Sequence, residues 1–261
     1  MDKDVITPDM RAVAQDYLTR RIENEVSFGA ALETALSFAV ERICAVVSKY
    51  GISEEQLMND QIPAKARREI DDIVEDLAAD LAEDVLLLAK DTRDDIDWFT
   101  AFLKREFEDG WTFDTRLRGY TKSFSSQVLM AIAALQIAGI PSTLWQNLIR
   151  SNLKDLYNAS FVRYARDRKL SYFSPIGFGR GVPHNMSVAL DYLGRQVIAN
   201  AWMQWDYEDN SERGAVGYYV ERGSSYPCVE CDSNAMRWHP ISEGLCVPTH
   251  SHCCCVVIYV Y

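Results

Sequence analysis

Apolar residues recur along most of this chain every three or four positions, the spacing that lays one stripe down a helix. Thr7-Pro8 opens the first such run. Thr can cap and Pro fits the first helical position, so a helix is predicted to about Ile22. Ser27 can cap a second, in which Phe28, Leu32, Ala35, Ala39, Ile43 and Val46 keep helical spacing until Gly51. Ser53-Glu54-Glu55-Gln56 has the form of a capping box and predicts a short helix. Pro63 opens a long one, with Ile70, Val74, Leu77, Leu81, Val85 and Leu88 on one face. Asp71, Asp72, Glu75, Asp80 and Glu83 form the other, which reads as a solvated face or a docking surface for a basic partner.

Further helices are expected over 91–109 (Ile96, Phe99, Leu103 and Phe107 inward) and 114–138, then a turn at Gly139-Ile140-Pro141-Ser142. Helix is expected to resume over 144–168, with Leu144, Leu148, Leu156 and Tyr164 inward, and again over 185–206. Between these lies 174–184, whose Gly and Pro density reads as a linker. The period then changes. Residues 215–221 and 255–261 are rich in β-branched and aromatic side chains and read as two strands that pair. The expected fold is mainly α with a small C-terminal α+β module. It divides into a helical region 1–173 (acidic over 1–110, mildly basic over 111–173), the linker, and a module 185–261 whose short sheet a zinc site pins.

Composition narrows the class. The chain is 48% hydrophobic and 25% charged, ordinary for a soluble folded protein. Its start, Met1-Asp2-Lys3-Asp4, does not read as a secretory signal, so a reducing compartment at synthesis is expected. The longest apolar run, 128–140, contains Gln136 and is too short for a bilayer, so no membrane contact is expected. Residues 1–110 carry 26 acidic against 13 basic side chains, a surface that repels nucleic acid and suits basic protein partners.

The candidate chemistry is concentrated at the end. Six of the seven cysteines and three of the four histidines fall between Cys228 and Cys255. Cys228 and Cys231 form a Cys-x-x-Cys turn that can offer two thiolates from one loop. His250 and Cys253, three apart, can close a tetrahedron, and zinc suits such mixed ligands. The ligand set read from spacing is Cys228, Cys231, His250 and one of Cys253 or Cys255, with Cys254, His239, Cys246 and His252 as further donors. The bland alternative is a buried cluster of unmetallated cysteines, or disulfides.

Several enzymes are excluded by what their chemistry needs. Pro227-Cys228-Val229-Glu230-Cys231 matches half of the zinc deaminase signature, but no upstream His-x-Glu or Cys-x-Glu supplies the proton-shuttling carboxylate. There is no His-Glu-x-x-His for a zincin and no βαβ setting for a thioredoxin-like pair. Gly177-Phe178-Gly179-Arg180-Gly181 lacks the Gly-Lys-Ser/Thr ending of a phosphate loop. A nucleic-acid-binding zinc module is weakened by charge, since Arg237 is the one basic residue between Cys228 and Tyr261 and phosphate contacts need several. A metal- or Cys-dependent enzyme lacks an evident general base.

The order strand, Cys-x-x-Cys, loop, Pro248-Thr249-His250-Ser251-His252-Cys253-Cys254-Cys255 and closing strand resembles the C-terminal motif of the phage Mu F-like minor head (head morphogenesis) proteins. Those end in Cys-x-x-Cys, then Pro-x-His-Pro-Asn-Cys-Arg-Cys and a strand. Cys228, Cys231, Pro248, His250, Cys253 and Cys255 match; Ser251, His252 and Cys254 stand where that pattern has Pro, Asn and Arg. The segment 185–206, with Arg195, looks like the one that precedes the motif. The resemblance implies a structural tailed-phage virion component, not an enzyme, assembled in the bacterial host cytoplasm. It would dock at the portal protein and other head proteins on the inner face of the capsid, with DNA contact unsupported by charge. Some relatives carry a toxin or enzyme domain after the motif, and none is expected after Tyr261.

Overall fold

The computed structural model describes residues 6–107, 109–168, 185–248 and 253–261. Helices dominate it: α1 (Pro8–Tyr50), α2 (Glu54–Met58), α3 (Ala64–Lys90), α4 (Ile96–Leu103), α5 (Phe113–Ile137), α6 (Trp145–Arg150), α7 (Ser160–Arg168), α8 (Met186–Glu212) and α9 (Val229–Asn234). Strands β1 (Gly217–Arg222), β2 (Trp238–Pro240) and β3 (Cys255–Val260) form one antiparallel sheet in the order β2-β1-β3. A mainly helical chain with a small sheet near its C-terminal end is therefore the fold, as the periodicity predicts. The expected linker at 174–184 lies outside the described residues. No helix among the described residues is long and apolar enough to cross a membrane.

Local chemistry explains where elements start and stop. The capping box is present: Ser53 Oγ accepts from Gln56 N at 3.3 Å and Gln56 Oε1 from Ser53 N at 3.0 Å. The two helices expected before Gly51 are one, because Ser27 does not cap. Its hydroxyl instead donates to the carbonyl of Glu23 at 2.8 Å, a bond back along the same helix. The helix expected over 91–109 shrinks to α4, since Asp95 caps it by accepting from Trp98 N at 3.1 Å. Of its expected inward residues Phe99 is buried and Ile96 is exposed. The stretch 144–168 is broken rather than continuous. Asn152 donates its side-chain amide to the carbonyl of Leu148 at 2.8 Å, Asp155 leaves the helical region, and α7 starts afresh after Ala159. The buried positions there are Trp145, Ile149, Leu153, Leu156, Ala159, Phe161, Val162 and Ala165, while Leu144 and Tyr164 are exposed.

Two compact units share the chain. One comprises Met1–Gly29, Val85–Leu103 and Gly194–Tyr261, the other Ala30–Asp84 and Lys104–Leu193. This division differs from the sequential one expected at 173 and 184. The second unit is helical, with α2 and α7 against α5. Its core is drawn from stripes such as Leu32, Leu36, Val40, Ile43 on α1 and Phe124, Val128, Ile132, Leu135 on α5. The acids Asp71, Asp72, Glu75, Asp80 and Glu83 of α3 are all exposed.

The first unit holds the sheet, covered on both faces. Successive strand residues point to opposite sides. Tyr219, Val256, Ile258 and Val260 pack with Ala14 and Leu18 of α1. Tyr218, Val220 and Cys255 pack on the other side with Met203 of α8, Cys231 and Cys253. Three short strands cannot cover themselves, and strands buried on both faces read as unbroken apolar runs, which accounts for Val256-Val257-Ile258-Tyr259-Val260. The pairing of the two expected strands is direct, with Val220 opposite Val257 and Arg222 opposite Cys255. The added strand β2 is only three residues long, too short for alternation to show in sequence.

Candidate metal centre

β1 carries the chain to a tight approach at Gly223. Its N–H donates to the carbonyl of Cys254 at 2.9 Å, and a Cβ there would lie 2.2 Å from that oxygen and 2.4 Å from Leu18 Cδ2. Only glycine lets the strand end lie so close to both the cysteine segment and α1. The following loop is tied by Arg222, which pairs with Asp232 and donates to the carbonyl of Tyr226. Cys228 is the N-cap of α9: its sulfur accepts the N–H of Cys231 at 3.5 Å, and its carbonyl accepts from Asp232 N at 2.8 Å. That single turn aims Cys231 inward, where it is buried.

The other half comes from β3 and the residues leading into it. Cys253 and Cys255 are two apart in extended chain, so their side chains share a face, and both are buried with Cys231. Cys254, between them, is half-buried and is not part of that cluster. The sulfurs of Cys231, Cys253 and Cys255 all lie within 4.8 Å of one another, close enough to hold a metal ion. Cys231 and Cys253 are 3.9 Å apart at sulfur. Two thiolates on one tetrahedral ion with bonds of about 2.3 Å would be about 3.8 Å apart, whereas a disulfide spans about 2.05 Å. None of the described cysteines is in a disulfide. The geometry thus fits shared ligation and not a covalent pair.

The thiol of Cys255 is pushed far up by hydrogen bonding with Cys253, by burial and by the charge Cys253 and Cys231 would carry. Three buried sulfurs cannot all ionise side by side unless a positive charge joins them.

The remaining sequence candidates fall elsewhere. His250 and His252 lie outside the described residues. Cys228, at the N-cap, is half-buried beside the cluster but is not one of the three. His239 sits in β2, stacked on Tyr218 with ring centres 5.1 Å apart. Its Nε2 lies 3.0 Å from the carbonyl of Asn234 and 3.8 Å from Cys246 Sγ. A carbonyl can only accept, so Nε2 carries the proton and is neither a ligand nor a base toward Cys246 in this arrangement. Cys246 is held by its own N–H, which donates to Tyr218 Oη at 3.0 Å, and burial raises its thiol.

Sequence reasoning missed two charged residues beside the centre. Arg21 and Glu25 of α1 are 1% and 6% exposed. Arg21 donates to the carbonyl of Cys253 and to Met203 Sδ at 2.8 Å. Its Nε is 3.2 Å from Glu25 Oε1, an ion-pair distance without hydrogen-bond alignment. Burial pushes the Glu25 carboxyl up, opposed by Arg21 and by Arg195 of α8. The signal was legible. Ala14, Leu18, Arg21, Glu25, Phe28 and Leu32 form one stripe with spacings of three and four, so both charges occupy apolar-face positions. No protein-family model, curated protein or solved structure matches the chain.

Proposed function

We propose that this chain is a structural component of a tailed-phage head, of the minor head type, whose C-terminal module is closed by one zinc ion. One observation carries the reading. Cys231, Cys253 and Cys255, three of the residues by which the end of the chain resembles the phage Mu F-like motif, are the three whose sulfurs converge. Zinc is the ion best suited to a buried thiolate set in a reducing compartment, and a centre with little solvent access suits a structural ion more than a catalytic one. Its role is to hold α9 and its flanking loops against the sheet.

The docking surface in this reading is the acidic side of α3. Asp80, Glu83 and Asp84 wall an open groove floored by Ala30, Ala31, Thr34 and Ala35, beside the exposed ring of Phe38. Burial, with the neighbouring Asp80 and Glu83, pushes the Asp84 carboxyl up. Such a concentration of like charge favours a basic partner surface, here the portal or another head protein, and repels DNA.

Changing Asp71, Asp72, Glu75 and Glu83 to Lys tests it. Glu75 pairs with Arg118, but that pair is exposed and Arg118 keeps Asp114 at 2.9 Å. Stability should therefore shift by no more than about 1 kcal/mol. The amount of this protein in purified particles should fall severalfold. Equal occupancy of variant and wild type would remove the docking role of α3, and absence of the wild type from particles would remove the virion assignment.

A further inference from the structure

A fully buried arginine is costly unless its charge is answered, so Arg21 calls for an explanation. Its ion pair with Glu25 answers only part of the need. The two groups are misaligned for a hydrogen bond, and a second cation, Arg195, bears on the same carboxylate. The guanidinium of Arg21 therefore keeps part of its positive charge unanswered in the interior. Three thiolates on one divalent ion leave one net negative charge. The two lie side by side, because the guanidinium of Arg21 donates to the main-chain carbonyl of Cys253.

We infer that Arg21 is the positioning residue and counter-charge of the cysteine centre, with Glu25 tuning its strength in the opposite sense. This inference rests on the metal reading above. The positioning part follows from where Arg21 holds the chain. Cys253 and Cys255 supply two of the three sulfurs from one extended segment, and the carbonyl of Cys253 is the point at which α1 grips it. Gly223 and Leu18 bring the same segment against the same helix. The guanidinium, with five donors in a rigid fork, can hold Cys253, Met203 and Glu25 at once, which a lysine ammonium could not do in this geometry. The counter-charge part follows from burial: in surroundings poor in water, a residual charge on the metal centre is felt strongly by the nearest cation. Outer residues that hold a metal ligand in place typically change metal affinity by about 10–100-fold when removed.

The two signs make the inference testable apart from folding. Replacing a buried ion pair by apolar residues of similar size is often neutral for stability, so Arg21→Met with Glu25→Met should fold. Cobalt(II) titration of the metal-free full-length chain, followed by the thiolate-to-cobalt absorption band and by competition with a coloured chelator, reads the affinity directly. The double variant should bind cobalt about 10–100-fold more weakly than wild type. Glu25→Gln alone, which removes the negative member and leaves Arg21 in place, should bind more tightly than wild type. A merely structural pair predicts no change in either. Wild-type affinity in the folded double variant would overturn the inference, and so would unchanged or weaker binding by Glu25→Gln. If the double variant does not fold, the Glu25→Gln result decides alone: tighter binding supports the counter-charge, and unchanged or weaker binding overturns it. Failure of wild type to bind cobalt or zinc would instead remove the metal reading itself, and the inference with it.

Discussion

The two units solve the problem of a core differently. In the unit comprising Ala30–Asp84 and Lys104–Leu193 the buried polar side chains among the described residues are neutral: Thr121, Ser125, Gln127 and Ser187. Each can be satisfied by a nearby backbone group or a single amide. Ser187 Oγ donates to the carbonyl of Leu153 at 2.7 Å, and Gln127 Oε1 accepts from Met186 N at 3.1 Å. In the unit with the sheet the buried polar residues are charged, Arg21 and Glu25, and three cysteines converge beside them. Neutral polar groups cost little once bonded, whereas buried charges are retained where something of opposite sign must be held. Among the described residues, buried charge and the cysteine cluster thus fall together in the sheet unit, and the helical unit buries neutral polar groups alone.

The strongest way to break that contrast is to open the cysteine centre. Cys253→Ser, or complete removal of metal by a chelator, is expected to speed hydrogen exchange through 217–260 by orders of magnitude while α5 stays protected. Structural zinc contributes roughly 10–16 kcal/mol in small finger peptides, so even part of that would dominate a three-stranded sheet. Unchanged exchange in 217–260 after full metal removal would make the centre dispensable and the two units alike.

Leu36→Ala probes the other side. Leu36 is among the most deeply buried side chains of the helical unit, and its truncation should cost about 2–5 kcal/mol in urea unfolding. Metal content, by elemental analysis of the folded fraction, should stay at the wild-type level. Loss of metal in this variant would mean that the cores are one cooperative system.

A smaller effect should appear with pH. Asp206 of α8 lies near Arg93, whose guanidinium stacks 3.9 Å from the centre of the Trp202 ring. Burial pushes the Asp206 carboxyl up to about 6, and Arg93 only partly opposes it. The folded chain therefore holds a proton that the unfolded chain has released between about pH 4 and pH 6. Stability from this group is greatest at the acid end and falls as pH rises through that window, by at most about 2–3 kcal/mol at roughly 1.4 kcal/mol per unit. The difference in urea midpoint between wild type and Asp206→Asn should accordingly move in favour of the variant from pH 4 to pH 7. Taking the difference cancels the acid dependence of the cysteine cluster. A constant difference would show that Asp206 titrates normally, and that the charged interior of the sheet unit ends at Arg21 and Glu25.

Much of this architecture is legible along the chain because helices and strands impose fixed periods of their own. The capping box at Ser53, the acidic face of α3, and the strands before and after the cysteines all follow from neighbours within a few residues. The choice among the last three cysteines stays open on spacing alone, and the structure brings Cys253 and Cys255 together with Cys231 and leaves Cys254 out. The misses have equally local causes. Ser27 could cap or bond back to Glu23, and the backbone energies of the two choices differ too little for sequence to decide. Taking it as a cap hid the unbroken stripe on which Arg21 and Glu25 stand out.

What the sequence by itself determined is the alphabet of elements and the presence of a thiol-rich end. Only the tertiary structure decided that Cys231 meets Cys253 and Cys255, that the ring N–H of His239 donates to the carbonyl of Asn234, and that Arg21 reaches a carbonyl 232 residues away. Local periodicity is written in backbone geometry, which each segment carries alone. These meetings depend on which faces are left to bury once the helices have formed: the sheet has two apolar sides, α1 offers the cover for one, and the buried charge of Arg21 comes to rest where the sulfurs are.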